Sequence, residues 1–274
     1  MERIVNKPIA GTFGWLHMGG VTVDLPEKPQ QRRYDLPAGE TRTVVLEENA
    51  AFARIEIELA ENACLHFIQA GGAEKERACT DIHVRAADNA QFHWYRLVLD
   101  QRETYDNCSV SLEGKGSSFT ADIGYDLNGN DRYDVNCEAI HLGKCTKSRI
   151  ASSGVLTDRA SKLLRGTIDF RTGCTGSVGS ESEDVLLLSE TVRNQSVPVI
   201  LCSEEDVVGD HGASIGRPDE NLLYYMESRG IREDEALKML AGARIESVIS
   251  RIPDEETRDR IRIAIYKAHP TVQE

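Results

Sequence analysis

The residue with the clearest chemical potential is His211, which stands beside Asp210 and between two glycines. An imidazole next to a carboxylate can bind a metal ion or carry a proton. Because glycine adopts backbone conformations that other residues avoid, we expect Gly209, Gly212 and Gly216 to let the chain turn sharply and to admit a ligand or a second chain. The pattern predicts that His211 lies in a glycine-rich loop between a buried strand and a helix.

Seven cysteines form a second set of potential ligands. No two are spaced Cys-x-x-Cys, which argues against a zinc ribbon or a thioredoxin-type site. An odd number of cysteines, without an export signal, indicates reduced thiols, most of them buried in the core. Cys202, on the apolar segment before His211, is the cysteine best placed to act with it. Successive cysteines are 15, 29, 29, 8, 29 and 28 residues apart, and the recurring 28–29 indicates a structural repeat.

An internal repeat also appears in the motif acid-Asn-Ala. Glu48-Asn49-Ala50 recurs 13 residues later as Glu61-Asn62-Ala63, and again 27 residues after that as Asp88-Asn89-Ala90. Asparagine tolerates the left-handed turn conformation, so each Asn is predicted to lie at a corner between strands. Thirteen residues suit a strand plus a corner, and 27 residues suit one rung of a solenoid.

Short strands without intervening helices over residues 41–200 are compatible with an antiparallel sandwich or barrel as well as with a parallel β-helix. The repeat favours the β-helix, in which Asn62 and Asn89 are equivalent in successive rungs. The same register brings His66 and His93 close together, one rung apart. The simpler interpretation is that both are outward or corner residues without a chemical role, since a metal site there needs a third ligand that the sequence does not identify.

The pattern becomes helical after residue 216. Asp219 is predicted to begin a short helix that Gly230 ends, a second helix runs from Arg232 to Arg251, and Asp254 caps a third. Leu222, Leu223 and Met226 form an apolar stripe on the first helix that we expect to be buried.

We therefore divide the chain into a lead-in of residues 1–30 that packs on the body, a β-helix core of residues 31–216 and a helical module of residues 217–274. The lead-in carries one motif-like stretch, Gly11-Thr12-Phe13-Gly14-Trp15-Leu16. We expect the β body to fold without the helical module.

Charge and composition exclude several classes of partner. The net charge of −13 argues against binding to nucleic acid or to an anionic membrane surface. No apolar run approaches the length of a membrane-spanning helix, and the N-terminus does not resemble a signal peptide, so a cytoplasmic location is expected. The sequence contains no G-x-x-x-x-G-K-[ST] motif, so we do not expect the chain to bind nucleotide or hydrolyse ATP.

Residues 189–231 resemble the SufB/SufD family of iron–sulfur cluster assembly scaffolds. The similarity is carried by Leu186-Leu187-Leu188-Ser189, Pro198, His211-Gly212-Ala213-Ser214, Gly216-Arg217, Leu223-Tyr224-Tyr225 and Ser228-Arg229-Gly230-Ile231. The resemblance implies a right-handed parallel β-helix followed by C-terminal helices, which in this family bind the ATPase subunit SufC.

The departures from the family pattern favour a short, SufD-like member. Gly212 follows His211 where SufB-type members have Glu, and Gly209 stands where SufD-type members often have Cys. The cysteine found in SufB aligns at about Glu183. The chain has no room for the helical N-terminal domain of full-length members. It remains open whether the chain forms a homodimer or pairs with a SufB- or SufD-type partner.

The resemblance implies a non-catalytic scaffold that holds an iron–sulfur cluster transiently. His211 is the candidate cluster or iron ligand, with Cys202 and Glu183 as weaker candidates, and we expect dimerisation through the strand edge near residues 165–215. The predicted contacts for a SufC-like ATPase are Tyr224, Tyr225, Arg229 and Arg232, because paired tyrosines on a short helix favour an interface.

A carbohydrate-active β-helix enzyme, a lyase or a hydrolase, is the alternative function. Such enzymes line a groove with carboxylates and aromatic sugar platforms. Aromatic residues make up only 6% of this chain, and the helical tail has no role in that hypothesis.

Overall fold

The computed structural model describes residues 1–8, 19–46, 50–70, 77–99 and 103–268, the last five without their side chains. The motif at residues 11–16 and the first predicted corner residue, Asn49, lie outside the described residues.

The body of the molecule is a parallel β-solenoid with two seven-stranded sheets that face each other. The odd sheet contains β3 (Gln30–Leu36), β5 (Ala53–Leu59), β7 (Arg77–Ala86), β9 (Glu103–Leu112), β11 (Arg132–His141), β13 (Ser161–Phe170) and β15 (Arg193–Cys202). The even sheet contains β4 (Thr41–Leu46), β6 (Cys64–Ala70), β8 (Gln91–Leu99), β10 (Ser118–Leu127), β12 (Lys147–Leu156), β14 (Ser177–Leu187) and β16 (Val207–Gly216). The chain alternates between the sheets, and neighbours within each sheet are parallel. The predicted parallel β-helix is thereby confirmed, and the antiparallel alternative is wrong.

One column of corner residues explains the Asn repeat. Asn62 and Asn89 have φ values of 58° and 55°, in the left-handed region. The Asn62 N–H donates to the Asp88 carbonyl and the Asn89 N–H donates to the Lys115 carbonyl, so the two asparagines are equivalent in successive rungs, as predicted. The column continues through other residues with positive φ: Gly39, Gly116, Cys145 and Gly176.

The interior between the sheets is packed with apolar side chains that stack in register. Phe92 and Phe119 are register partners whose ring centroids are 5.7 Å apart. Cys108 and Cys137 are also register partners, and both are fully buried. The recurring cysteine spacing of 29 residues therefore reports one rung of the solenoid.

The N-terminal segment packs on the outer face of the odd sheet. Its strands β1 (Glu2–Val5) and β2 (Val21–Asp24) form an antiparallel pair. Val23 and Leu25 pack against a small apolar cluster that contains Phe52, Cys79 and Tyr105. The Asn6 side chain donates to the Asp134 carbonyl over 2.7 Å, which ties the segment to β11.

The C-terminal helices are α1 (Glu220–Ser228), α2 (Glu233–Ile249) and α3 (Glu255–Ala268). Asp219 caps α1 by accepting a hydrogen bond from the Asn221 N–H over 2.8 Å, and Gly230 follows the helix with a φ of 87°, as predicted. Asp254 accepts from the Thr257 N–H over 2.7 Å at the start of α3. None of the helices in the described part of the chain is long and apolar enough to cross a membrane.

Helix α2 packs on the outer face of the even sheet. Ile245, Val248 and Ile249 share an apolar cluster with side chains of β6 and β8: Ile68, Tyr95, Leu97 and Leu99. Gly124 makes room for this contact, because a Cβ there would lie 2.8 Å from Leu97 and 3.2 Å from Val248. Deleting residues 217–274 would expose this cluster to water, and independent folding of the β body stays a prediction. The helices also leave the last strand, β16, exposed, so they do not cap the last rung.

Candidate functional site

The candidate site lies at the C-terminal end of the solenoid, where the stack of rungs stops. β15 and β16 are the terminal strands of their sheets and each pairs on one side only, with β13 and β14 respectively. Eight of the ten residues of β16 are exposed. This open end presents both unpaired backbone groups and the side chains of the last rung.

His211 lies in the middle of β16 and not in a loop, which corrects the sequence interpretation. Its register partner on β14 is Glu181. Gly209 and Gly212 have ordinary negative φ values and are extended, so they do not turn the chain. Both glycines are extended because β16 pairs with β14, and glycine can adopt the conformation of a parallel strand as well as that of a turn.

The surroundings of Gly209 show which side chains of β16 face the solenoid interior. A Cβ on Gly209 would lie 3.0 Å from Phe170 and 3.3 Å from Ile200, so residues of its parity face the solenoid interior. His211 has the same parity. The imidazole therefore stands over the open end of the interior while remaining exposed to solvent.

Cys202 lies at the end of β15 and is exposed. Its thiol donates to the Glu204 carbonyl oxygen over 3.0 Å. Within the described residues, neither Cys202 nor His211 belongs to a group of three ligand atoms close enough to hold one metal ion. The structure therefore does not assemble a complete ligand set around His211 within a single chain.

Glu183 is buried in the interior and is already paired. Its carboxylate forms an ion pair with the Lys162 ammonium and accepts a hydrogen bond from the Ser196 hydroxyl. Lys162 is 2% exposed and lies 5.8 Å from the centre of the Tyr125 ring. Burial lowers the pKa of Lys162, although the adjacent Glu183 carboxylate opposes that shift. In this structure the Glu183 carboxylate is therefore held by Lys162 and Ser196.

Glu181 is the residue at this end that sequence reasoning missed. Gly166 makes room for its carboxylate, because a Cβ on Gly166 would lie 2.3 Å from it. Burial, reinforced by the neighbouring Glu183 charge, raises the pKa of Glu181 to about 7. The sequence did contain a signal for this burial. Glu181, Glu183 and Val185 are two residues apart on β14, so the two carboxylates point to the same side of the sheet as the buried Val185.

The open end can therefore hold a proton near neutral pH. Glu181, whose pKa is raised to about 7, is the register partner of His211. An exposed imidazole above a buried, exchangeable proton can bind a cation or transfer a proton.

The predicted partner residues lie on the surface of the C-terminal helices. Tyr224 and Tyr225 are 74% and 54% exposed, and the Arg229 guanidinium lies 5.2 Å from the centre of the Tyr225 ring. Arg232 is exposed and pairs with Asp234 over 2.9 Å. The apolar stripe of α1 is only partly buried: Met226 is buried, whereas Leu222 is 41% exposed and adds to this surface.

Comparison with known proteins decides the family. The family model described as "SUF system FeS cluster assembly, SufBD core domain" matches residues 38–244, well over half of the chain. The chain belongs to the SufBD family. This assignment favours the scaffold hypothesis over the carbohydrate-active alternative.

The SufBD-family chain is similar to several curated relatives. It is 28% identical over 176 residues to the iron–sulfur cluster assembly protein SufD of Bacillus subtilis, covering 63% of this chain and 40% of that protein. A SufBD family protein of Mycobacterium tuberculosis is 32% identical over 172 residues, covering 62% of this chain and 20% of the relative. A chloroplastic SufBD family protein of Arabidopsis thaliana is 26% identical over 173 residues, covering 62% of this chain and 30% of the relative. The alignments thus span less than half the length of these relatives.

The SufBD fold places the predicted site residues in three separate environments. His211 is exposed on the last strand, Glu183 is buried in an ion pair on the neighbouring strand β14, and the Cys202 thiol donates to a carbonyl oxygen at the end of β15. The helical residues form a surface of their own. The predicted cluster ligands thus lie on the last strands of the two sheets, and among the described residues they do not form a group close enough to hold one ion.

Proposed function

We propose that this chain is a non-catalytic scaffold subunit of iron–sulfur cluster assembly. It receives a cluster as cargo beside His211, pairs with a second scaffold chain through its open end, and binds a SufC-like ATPase on its C-terminal helices. The proposal places it in the cytoplasm, and its seven free cysteines suit that reducing compartment. The observation that carries the proposal is the open end of a SufBD-family solenoid, with His211 exposed on its last strand.

The open end supports pairing with another chain. Exposed edge strands are templates for strand addition, and natural proteins cover or disrupt them. Val208 and Ile215 on β16 are 57% and 42% exposed, and Ile200 on β15 is 37% exposed. Apolar side chains along an unpaired edge favour an end-to-end dimer with a second copy or with a SufB- or SufD-type chain. Such a dimer would bring further ligands to His211.

The exposed face of the C-terminal helices supports ATPase binding. Leu222, Tyr224, Tyr225 and Met239 are all at least 41% exposed. Large apolar and aromatic side chains of this kind form the energetic centres of protein interfaces.

A binding assay with a purified SufC-like ATPase tests the helical surface. Tyr224→Ala and Tyr225→Ala should each weaken binding by about 2 kcal/mol, about thirtyfold, because tyrosine anchors at interfaces typically contribute that much. Leu142→Ala is the matched control, since Leu142 is 43% exposed on a corner of the solenoid and away from the helices. Binding that is unchanged in both tyrosine variants would exclude this surface.

Light scattering at micromolar concentration, with and without the ATPase, tests the open end. The wild-type chain should form a dimer, alone or with a co-expressed SufB- or SufD-type chain. Val208→Asp should leave a folded monomer, because it places an unpaired charge on the strand edge. Leu142→Asp should behave as wild type. A wild-type monomer under all these conditions would refute pairing.

A further inference from the structure

A second constellation of potential metal ligands lies far from the open end, on the outer face of the even sheet. It contains Cys64 and His66 on β6 and His93 on β8. One ligand atom from each residue lies within 4.8 Å of the other two. It is the one group of this kind among the residues that the structure describes.

Strand geometry brings these three side chains together. Cys64 and His66 are two residues apart and share one face of β6. His93 is the register partner of His66, which confirms the expected proximity of the two histidines. Their rings stack with centroids 4.7 Å apart and an interplanar angle of 13°. Cys64 supplies the third ligand that sequence reasoning could not name.

The distance between the Cys64 sulfur and the His66 nitrogen matches the distance between two ligands of a tetrahedral metal ion. The Cys64 Sγ lies 3.6 Å from the His66 Nε2. Zinc–sulfur and zinc–nitrogen bonds of about 2.3 Å and 2.0 Å at a tetrahedral angle place the two ligand atoms about 3.5 Å apart. Cys64 and His66 therefore need little movement, and a rotation of the His93 ring would bring the third ligand into the same sphere.

Hydroxyl groups orient both imidazoles from the side opposite the thiol. The His93 Nδ1 is 2.7 Å from the Thr120 hydroxyl, and the His66 Nδ1 is 3.4 Å from the Tyr95 hydroxyl. A histidine that binds metal through Nε2 carries its proton on Nδ1, where it donates to such a partner. Both rings thus keep Nε2 available for an ion.

The surroundings favour the protonation states that a metal ion needs in its histidines. Burial lowers the pKa of His66, and burial together with the His66 charge lowers the pKa of His93 to about 4, so both rings are neutral at pH 7. Burial raises the pKa of the Cys64 thiol, so metal binding must release its proton. All three side chains are partly exposed, which gives an ion access from solvent.

We propose that Cys64, His66 and His93 form a binding site for one divalent transition-metal ion of the zinc type, with a fourth position open to water. One thiolate with two imidazoles suits this borderline ion better than calcium or magnesium, which prefer oxygen ligands. The site is independent of the cluster proposed at His211, because it lies on other strands and uses other residues.

A titration of the metal-free, full-length chain with Co²⁺, as a spectroscopic substitute for Zn²⁺, tests the proposal. We expect one Co²⁺ per chain, the visible bands of tetrahedral cobalt, and a thiolate-to-cobalt charge-transfer band in the near ultraviolet. Zn²⁺ should displace the cobalt and abolish all of these bands.

Variants assign the bands to these residues. Cys64→Ala should abolish the charge-transfer band, and His93→Gln should weaken Co²⁺ binding at least tenfold. Thr120→Val, which removes only the hydroxyl that orients His93, should weaken binding about tenfold. Cys145→Ser is the matched control, since this thiol is exposed elsewhere, and it should leave the spectrum unchanged.

Two results would overturn the proposal. The first is a wild-type chain that shows no thiolate-to-cobalt band. The second is a band that persists in Cys64→Ala while that variant keeps the wild-type circular dichroism spectrum. If Cys64→Ala does not fold, His93→Gln and Thr120→Val decide the matter, because unchanged cobalt affinity in both would contradict the site.

Discussion

Two imidazole-bearing regions of this molecule differ in how much of a ligand set one chain supplies. On the outer face of the even sheet, Cys64, His66 and His93 come from neighbouring strands and lie within 4.8 Å of one another. At the open end, His211 is exposed on the last strand, and Glu183 on the neighbouring strand β14 is paired with Lys162.

The difference follows from the number of neighbouring strands. A strand inside the sheet has a partner on each side, so residues one rung apart stack and can share an ion. The last strand has one partner, so half of the space around its side chains is open. Within one chain, an internal rung therefore brings three potential ligand atoms together, whereas His211 on the last rung belongs to no such group among the described residues.

The largest effect is expected when the buried ion pair of Lys162 and Glu183 is broken. Lys162→Met should lower the free energy of unfolding by about 3–5 kcal/mol at pH 7, because it leaves the Glu183 carboxylate buried and unpaired. Urea denaturation measures this difference.

The control for that experiment is an exposed ion pair. Arg33→Met removes the partner of Asp35, and both side chains are more than half exposed, so the loss should be below about 1 kcal/mol. Adding Glu183→Leu to Lys162→Met should restore much of the stability. Equal losses in Lys162→Met and Arg33→Met would show that the buried pair is not formed.

A smaller effect, with a distinct pH dependence, is expected at Glu181. Its folded-state pKa of about 7 is higher than the value of 4.5 expected in the unfolded chain, so the folded state binds this proton more tightly. The resulting stabilisation is fully present below about pH 4.5 and is lost as the pH rises through 7. The shift corresponds to about 3 kcal/mol, at 1.36 kcal/mol per pKa unit.

Glu181→Gln should therefore remove this pH-dependent loss between pH 5 and pH 8, measured by urea denaturation across that range. Glu190→Gln is the control, since Glu190 is 82% exposed. A Glu181→Gln variant with the same pH profile as the wild type would contradict the raised pKa.

The last prediction is that a change at the open end has no effect on the Cys64 site. Val208→Asp, which should prevent pairing at the open end, should leave the Co²⁺ affinity and spectrum of the Cys64 site unaltered. The titration should also be independent of protein concentration. Cobalt binding that weakens with dilution, or in Val208→Asp, would mean that this site too depends on a second chain.

The sequence predicted features that depend on local chemistry or on a fixed repeat. The equivalence of Asn62 and Asn89, the proximity of His66 and His93, and the caps at Asp219 and Asp254 all follow from such patterns. Each of these features depends only on neighbouring residues or on the repeat length of one rung, and the sequence shows both directly.

Features set by tertiary context were missed or misassigned. The glycines around His211 suggested a loop, but backbone pairing with β14 made this segment a strand. Leu222 matched a buried stripe, yet α1 leaves it exposed. The position of Glu181 two and four residues before Glu183 and Val185 indicated an inward side chain, but its raised pKa arises from burial between the two sheets, which no local pattern encodes.

The most direct test of the scaffold assignment is the iron and acid-labile sulfide that co-purify anaerobically with the complex of this chain and a SufC-like ATPase. His211→Ala and Val208→Asp should both lose most of the iron and sulfide found with the wild type. Cys64→Ala should retain the sulfide, because its site holds a single ion and no cluster. Wild-type amounts of iron and sulfide in His211→Ala would contradict the account.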